Sequence, residues 1–208
     1  MTDDRCCPDD DGTRAALVGV APEVRALRRA AFAAVLAGQA APLADLVAAA
    51  GASGADGEAL AARGLIVLDD GRRVVGAAGL SLVPARQHRL TLGGRAFWTW
   101  CAVDAVGIPA ALGADAVVET TCHGCGVAVR VVLRAGAAAE ASHPDARLWN
   151  AEHQPGRSMA GGTCGLMNLF CTPAHLDAWL GAHPGERGAA VDLAGAAALG
   201  RAWWGPLL

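Results

Sequence analysis

The sequence predicts an α+β protein in which a small helical N-terminal module packs on a core of mixed helices and strands. Two observations lead to this fold class. The first third of the chain has helical periodicity interrupted by glycines and ends in a strand–turn–strand pattern, whereas the later part contains apolar runs of strand length. With 208 residues, 53% hydrophobic and 18% charged, the chain is able to bury a core, and a largely disordered protein is excluded.

The N-terminal third divides into a tail and a module. Residues 1–20 are acidic, contain the vicinal Cys6 and Cys7, and are expected to form a flexible tail. Over residues 21–82 we predict three helices followed by a hairpin, the order of a winged-helix module: helices at 22–37, 42–50 and 57–63, and strands at 65–68 and 73–77.

DNA binding is the obvious function of a winged-helix module, but the third helix argues against it. Its sequence is rich in alanine and partly acidic, whereas a recognition helix presents Arg, Lys, Asn or Gln to bases and phosphates. The formal net charge of −3 also offers no basic surface for nucleic acid. We therefore expect a structural or covering role for this module.

The core, over residues 83–208, contains a buried segment with a thiol and a carboxyl group three residues apart. The apolar run around Cys101 and Asp104 continues to Pro109 and favours a buried helix, on which these two side chains would share a face. A buried carboxyl group has a raised pKa and can exchange a proton with a neighbouring thiol. The alternative is a core cysteine with Asp104 as a cap or surface residue.

Further cysteines follow in the core, where we predict strands at 117–121 and 127–133 and helices at 174–182 and 191–201. Cys164 lies between glycines, which leave room for a ligand to approach. The apolar run after it predicts a buried strand. The alternative is a tight turn with an incidental cysteine. On a strand, Cys171 would face away from Cys164, so we do not expect it to share a ligand with that residue.

Cys122 and Cys125 form a single C-x-x-C turn between the two predicted strands. Three interpretations stay open: half of a zinc site, a redox pair, or a buried structural Cys122 beside a chance neighbour. His123 is poorly placed to bind a metal together with both flanking thiols. If Cys122 is structural, we expect Cys125 and Cys171 to be incidental.

The acidic N-terminal residues are not expected to act as a signal peptide, and the sequence has no uninterrupted apolar run of about 20 residues. We therefore expect a soluble, cytoplasmic protein. Cysteines are usually reduced there, so seven of them suggest metal or catalytic chemistry before disulfides.

Taken together, these residues resemble the organomercurial lyase (alkylmercury lyase) family. The resemblance is close over residues 90–182 and rests on element order over 22–85. Its motifs are Arg95–Asp104 followed by Ile108-Pro109-Ala110, and Gly162-Thr163-Cys164 followed by Phe170 and Trp179. Cys122 matches a cysteine that is regarded as structural in that family, and Gly165 stands where some members have a second cysteine.

The resemblance implies a lyase core and an N-terminal module that does not bind DNA. It implies that Cys101 and Cys164 bind mercury, and that Asp104 transfers the proton that cleaves the carbon–mercury bond and releases a hydrocarbon. Trp98 and Trp100 would shield the site from water. No cofactor is expected, only an external small thiol that extracts Hg(II).

The expected partners are an organomercurial substrate and a mercuric reductase that accepts Hg(II), with neither nucleic acid nor membrane. Two alternatives stay open: a non-catalytic binder or carrier of soft metals such as mercury or copper, and a relative recruited to another reaction. Asp104 favours the lyase, because a carrier needs no acid beside its thiols.

Overall fold

The computed structural model of the chain describes residues 21–154 and 156–205. The expected tail over residues 1–20, and with it Cys6 and Cys7, lies outside the described residues. Within these limits no helix combines the length and the apolar character that crossing a membrane requires.

Three helices and a hairpin begin the described chain, in the predicted order. They are α1 (Pro22–Leu36), the short strand β1 (Ala41–Pro42), α2 (Leu43–Ala50), α3 (Gly54–Ala62), β2 (Ile66–Leu68) and β3 (Arg73–Ala77). Gly51 and Gly64 follow α2 and α3 in the left-handed conformation, as expected for glycine stops. Helix α3 begins three residues earlier than predicted because Ser53 and Asp56 form a capping box at its start.

A nine-stranded antiparallel sheet runs from this hairpin through the core. Its further strands are β4 (Leu80–Ser81), β5 (Arg89–Leu92), β6 (Arg95–Thr99), β7 (Ala116–Thr121), β8 (Ala128–Arg134) and β9 (Ala137–Ala141). The spatial order is β1-β3-β4-β6-β5-β7-β8-β9, and β2 also pairs with β3. Because β3 pairs with β4 and β4 pairs with β6, the N-terminal hairpin and the core share one continuous sheet.

The rest of the core consists of a small sheet and four helices. The small sheet has the order β11-β10-β12. The elements are α4 (Ala102–Leu112), β10 (Arg147–Ala151), a π-helical turn (Met159–Thr163), α5 (Cys164–Leu166), β11 (Leu169–Phe170), α6 (Pro173–Ala182), β12 (Gly188–Val191) and α7 (Leu193–Trp204). The mixed α and β composition predicted for the core is confirmed.

Two boundaries in the core differ from the prediction. The helix expected around Cys101 begins only at Ala102, because residues 95–99 pair with β5 as the second strand of a hairpin. The helix expected over 191–201 begins at Leu193, because residue 191 ends β12. At the first place an apolar run continues from the strand into the helix, so periodicity alone does not show where the strand ends. At the second place Asp192 caps the helix by accepting the N–H of Gly195.

Helix α4 is buried over nine consecutive residues, Ala102–Ala110, and packs along α7. The two helices approach closely at a pair of glycines. A Cβ added to Gly107 would lie 2.9 Å from the Cα of Gly200 and 2.8 Å from the ring of Trp204. The indole N–H of Trp204 in turn donates to the carbonyl of Ala78 at 2.7 Å. Helix α7 therefore fixes both α4 and the loop before β4.

We expect Gly200→Ala to destabilise the protein by about 1–3 kcal/mol, because the added methyl group would overlap the backbone of Gly107 and force the helices apart. Gly181→Ala is the matched control: it lies in α6, is exposed and has open space around it, so it should be neutral or stabilising by up to about 1 kcal/mol. Urea denaturation measures both. Equal effects of the two substitutions would contradict the close helix crossing.

His88 is fully buried beside the large sheet, and its Nδ1 lies 2.7 Å from the hydroxyl oxygen of Thr120. Burial, followed by the charges of Arg86 and His123, lowers the pKa of His88 from 6.5 to about 3. The folded protein therefore holds this imidazole neutral at pH values at which an unfolded chain protonates it.

This pKa shift predicts that the free energy of unfolding falls as the pH drops from about 6.5 towards 3. In that window the unfolded state binds a proton at His88 that the folded state does not, so acid favours unfolding. His88→Gln should have a flatter stability profile over the same window, measured by urea denaturation at several pH values. An unchanged profile would assign the acid sensitivity to other groups.

Candidate functional site

Cys101 lies at the junction between strand β6 and helix α4. Its backbone is extended (φ −151°, ψ 173°), and its Sγ accepts the backbone N–H of Asp104 at 3.3 Å, so that the thiol caps the helix. The next residue, Ala102, donates its N–H to the carbonyl of Met167 at 2.9 Å. A strand that turns directly into a buried helix thus holds this thiol in the core.

Asp104 is the third residue of α4 and is only 4% exposed. Its carboxyl group points towards the loop before β4, where Gly79 has φ 90° and a Cβ would lie 2.5 Å from the carboxyl carbon. The carbonyl of Gly79 accepts the N–H of Trp100 at 2.9 Å, which ties this loop to the residue before Cys101. Among the described residues, Oδ2 of Asp104 has no hydrogen-bond partner.

Cys164 reaches the same pocket from a distant part of the chain. It follows a π-helical turn and begins α5, and the buried strand expected after it is limited to the two residues of β11. Thr163 is buried and its hydroxyl lies 2.8 Å from Nδ1 of His153. Met167 anchors the other side, because its sulfur lies 3.7 Å from Sγ of Cys101. The segment is thereby docked against the start of α4.

The structure brings Cys101, Asp104 and Cys164 together. One ligand atom from each lies within 4.8 Å of the other two, and the two cysteines are 0% and 3% exposed. The spacing of Cys101 and Asp104 predicts that both side chains lie on one helical face. In the structure the pair instead uses the cap and third positions of the helix, and the side chains converge all the same.

Burial sets the protonation states of Asp104, Cys101 and Cys164. It raises the pKa of Asp104 to about 7, although hydrogen bonds from Cys101 and Trp100 act in the opposite direction. Burial also raises the pKa of the Cys101 thiol well above its ordinary value. For Cys164, a hydrogen bond with Cys101 lowers the pKa, but burial and the charge of Asp104 outweigh it and leave the pKa raised.

The tryptophans expected to shield the pocket occupy different environments. Trp100 is buried, whereas Trp98 is half-buried with the guanidinium group of Arg89 5.3 Å from the centre of its ring. Gly79 and Met167 complete the surroundings of the site and were missed by sequence reasoning. Neither stands in a recognisable motif; their roles depend on contacts between parts of the chain that are far apart.

The remaining described cysteines lie in a second group. Cys122, Cys125 and Cys171 lie together with His175, and Cys171 is therefore not a neighbour of the Cys101 pocket. His123 packs edge-on against the rings of Phe170 and Trp179 and is not a member of this group. The C-x₃-H spacing from Cys171 to His175 is a signal in the sequence that could have identified these residues.

The model of the MerB family, described as alkylmercury lyase, matches residues 80–205 of the chain. The chain belongs to the alkylmercury lyase family. The matched range includes all three residues of the buried pocket. It also includes the second group of cysteines and begins at strand β4, so that the N-terminal helices lie outside it.

Individual alkylmercury lyases also match part of the chain. That of Staphylococcus epidermidis is 30% identical over 119 residues, which are 57% of this chain and 54% of that protein. That of Streptomyces lividans is 31% identical over 127 residues, 61% of this chain and 58% of that protein. The chain thus spans little more than half the length of the curated relatives that it matches.

A solved structure covers far more of the molecule. The crystal structure of the mercury-bound form of MerB2 superposes with a TM-score of 0.86 and 27% sequence identity, covering 96% of this chain and 98% of that one. The likeness extends over the N-terminal helices and hairpin as well as the core.

We expect Gly79→Ala to be more destabilising than Gly94→Ala. Both glycines have positive φ (90° and 75°), but only at Gly79 would an added Cβ meet another residue, namely the carboxyl group of Asp104. Overpacking should add about 1–3 kcal/mol to the shared cost of the backbone conformation. Urea denaturation of the two variants measures the difference.

A double-mutant cycle tests the cause. Asp104→Ala removes the carboxyl group, so it should relieve part of the effect of Gly79→Ala and none of the effect of Gly94→Ala. Additive effects in both cycles would contradict the contact between Gly79 and Asp104.

Proposed function

We propose that this protein is an organomercurial lyase, which cleaves a carbon–mercury bond by protonating the carbon. The observation that carries the proposal is the burial of one carboxyl group beside two thiols, with ligand atoms within 4.8 Å of one another. The match to the alkylmercury lyase family model and the likeness to the mercury-bound form of MerB2 support it.

The two thiols suit the substrate. Mercury is a soft cation that prefers thiolate ligands, so Cys101 and Cys164 would exchange with the small thiol that carries R–Hg⁺ in solution. In the first exchange, one cysteine sulfur bonds to mercury, and its proton leaves with the departing small thiol. The product is an R–Hg–cysteine adduct buried beside the second thiol and the carboxyl group.

The carboxyl group suits the proton transfer. The second cysteine gives its proton to the Asp104 carboxylate and bonds to mercury as a thiolate, which increases electron density on the mercury-bound carbon. Asp104 then gives that proton to the carbon, the electron pair of the carbon–mercury bond forms the new C–H bond, and R–H leaves. A pKa near 7 lets the carboxyl group both accept and donate the proton.

After the reaction, Hg(II) is held by Cys101 and Cys164. Two external small thiols would displace it, returning one proton to each cysteine, so the reaction we propose needs no bound cofactor. A mercuric reductase is the acceptor we propose for the released ion, in a mercury detoxification pathway. We place this reaction in the cytoplasm, where small thiols are abundant and cysteines stay reduced.

The alternative, a carrier of mercury or copper, is disfavoured by the environment of the same residues. A carrier passes its ion on by ligand exchange, for which the thiols of Cys101 and Cys164 alone would suffice. A carrier also gains nothing from Asp104, since a carboxylate is a poor ligand for a soft metal ion.

The test is release of benzene from phenylmercury in the presence of excess small thiol, measured by gas chromatography. We expect release well above the rate without protein. Asp104→Asn should lower that rate by at least about a hundredfold, because it removes the general acid, while Hg(II) binding measured by native mass spectrometry persists. Asp145→Asn, an exposed aspartate, is the matched control and should leave the rate unchanged.

Cys101→Ala and Cys164→Ala should each abolish turnover, because one thiolate cannot activate the carbon. Binding without benzene release in the unmodified protein would instead establish the carrier. Full activity in Asp104→Asn would disprove the assignment of the acid.

A further inference from the structure

A second set of metal-ligand side chains lies outside the pocket just described. Cys122, Cys125, Cys171 and His175 each offer one ligand atom, and these four atoms all lie within 4.8 Å of one another. We infer that they hold a structural zinc ion. The site is independent of the proposed lyase reaction, whose groups are Cys101, Asp104 and Cys164.

The distances fit tetrahedral zinc. With Zn–S about 2.3 Å and Zn–N about 2.0–2.1 Å, the edges of the tetrahedron are about 3.8 Å between sulfurs and about 3.6 Å between sulfur and nitrogen. The sulfurs of Cys125 and Cys171 are 3.8 Å apart, and Sγ of Cys122 lies 3.6 Å from Nδ1 of His175. Sγ of Cys171 lies 3.1 Å from Nδ1 of His175, and an outward shift of about half an ångström would bring this pair to the tetrahedral distance.

A disulfide does not account for this arrangement. A bonded pair of sulfurs is about 2.0 Å apart, much closer than Cys125 and Cys171. All five cysteines of the described residues are free thiols. Three thiols and an imidazole gathered at metal-ligand distances are the ligand set of a Cys₃His zinc site.

The first pair of ligands comes from the turn between β7 and β8. The N–H of Gly126 donates to the carbonyl of Cys122 at 2.8 Å, and Gly126 takes the left-handed conformation with φ 75° that this tight turn needs. A Cβ on Gly124 would lie 2.8 Å from Cβ of His175. Two glycines therefore allow the C-x-x-C turn to close on helix α6.

The second pair comes from the start of α6. Cys171 directly follows β11, and the hydroxyl of Thr172 caps the helix by accepting the N–H of His175 at 3.3 Å. The resulting C-x₃-H spacing places thiol and imidazole side by side. Across the cluster, the backbone N–H of Cys171 donates to Sγ of Cys122 at 3.3 Å, an outer hydrogen bond that orients a metal-bound thiolate.

Four protein ligands leave no open position, so the ion would act in structure and not in catalysis. It would join the β7–β8 turn to the segment between β11 and α6, which the protein otherwise links by hydrogen bonds such as that from the N–H of His123 to the carbonyl of Leu169. That segment continues back to Met167 and Cys164. The metal would therefore fix the far end of the segment that carries one thiol of the buried pocket.

The test is the zinc content of the purified protein by elemental analysis. Its background variant is Cys6→Ser/Cys7→Ser/Cys101→Ser/Cys164→Ser, in which the other cysteines cannot hold an ion. We expect one zinc ion per chain in the unmodified protein and in this background. Adding Cys125→Ser and His175→Ala should remove it. Zinc that persists after these two changes, or that is lost with the background substitutions, would overturn the proposal.

Cobalt substitution covers the case in which the cluster variants fail to fold. The unmodified protein and the background variant, exchanged with Co(II), should both show the intense visible absorption of a tetrahedral site together with thiolate-to-cobalt charge transfer. A weak octahedral spectrum, no uptake of cobalt, or a Cys125–Cys171 disulfide in freshly isolated protein would each overturn the proposal.

Discussion

Keeping an ionisable carboxyl group away from water, within contact of two thiols, is the constraint that organises this molecule. A carboxylate is costly to bury without partners, so Asp104 persists in the core only because the surrounding structure holds it there. Helix α4 is buried over nine residues around this position, and α7 packs along it. The same burial that makes the group costly also gives it a pKa at which it can carry a proton in both directions.

Glycine makes this burial possible in two different ways. At Gly79 the missing side chain leaves room for the carboxyl group itself, and at Gly107 and Gly200 it allows the backbones of two helices to come into contact. Trp204 connects the two sites, since it packs at the helix crossing and bonds to the residue before Gly79. The packing of Trp204 at the helix crossing therefore helps to position the loop that contacts the Asp104 carboxyl group.

Local patterns in the sequence were sufficient for much of the fold and for one pair in the site. Cys101 and Asp104 are three residues apart, and that relation survives even though the helix starts later than predicted, because a cap and the third residue of a helix also converge. Seven strands were not predicted, since their short apolar patterns resemble neighbouring helix or turn segments: β1, β4, β5, β6, β9, β10 and β12. Cys164 was identified as a candidate by its flanking glycines, but its pairing with Cys101 came from the family resemblance and not from spacing.

Local patterns in the sequence did not predict the second cluster, the group formed by Cys122, Cys125, Cys171 and His175. Cys171 and His175 have zinc-ligand spacing, but they lie 46 and 53 residues from their partners in the C-x-x-C turn, and a search for a second C-x-x-C overlooks them. Cys125 and Cys171 were predicted to be incidental because neither has a complete ligand set among its neighbours in the sequence. Only the fold shows which distant pairs meet.

The continuous sheet has a consequence for where the chain can be divided. Residue 83 follows β4, the strand that joins the hairpin to β6. A fragment starting there would leave β6 as an exposed edge strand with unpaired backbone groups, which invites intermolecular pairing and aggregation. It would also lack Gly79, one wall around the Asp104 carboxyl group. The N-terminal third thus covers one edge of the core sheet and borders the Asp104 pocket, even though the family model covers only its last few residues.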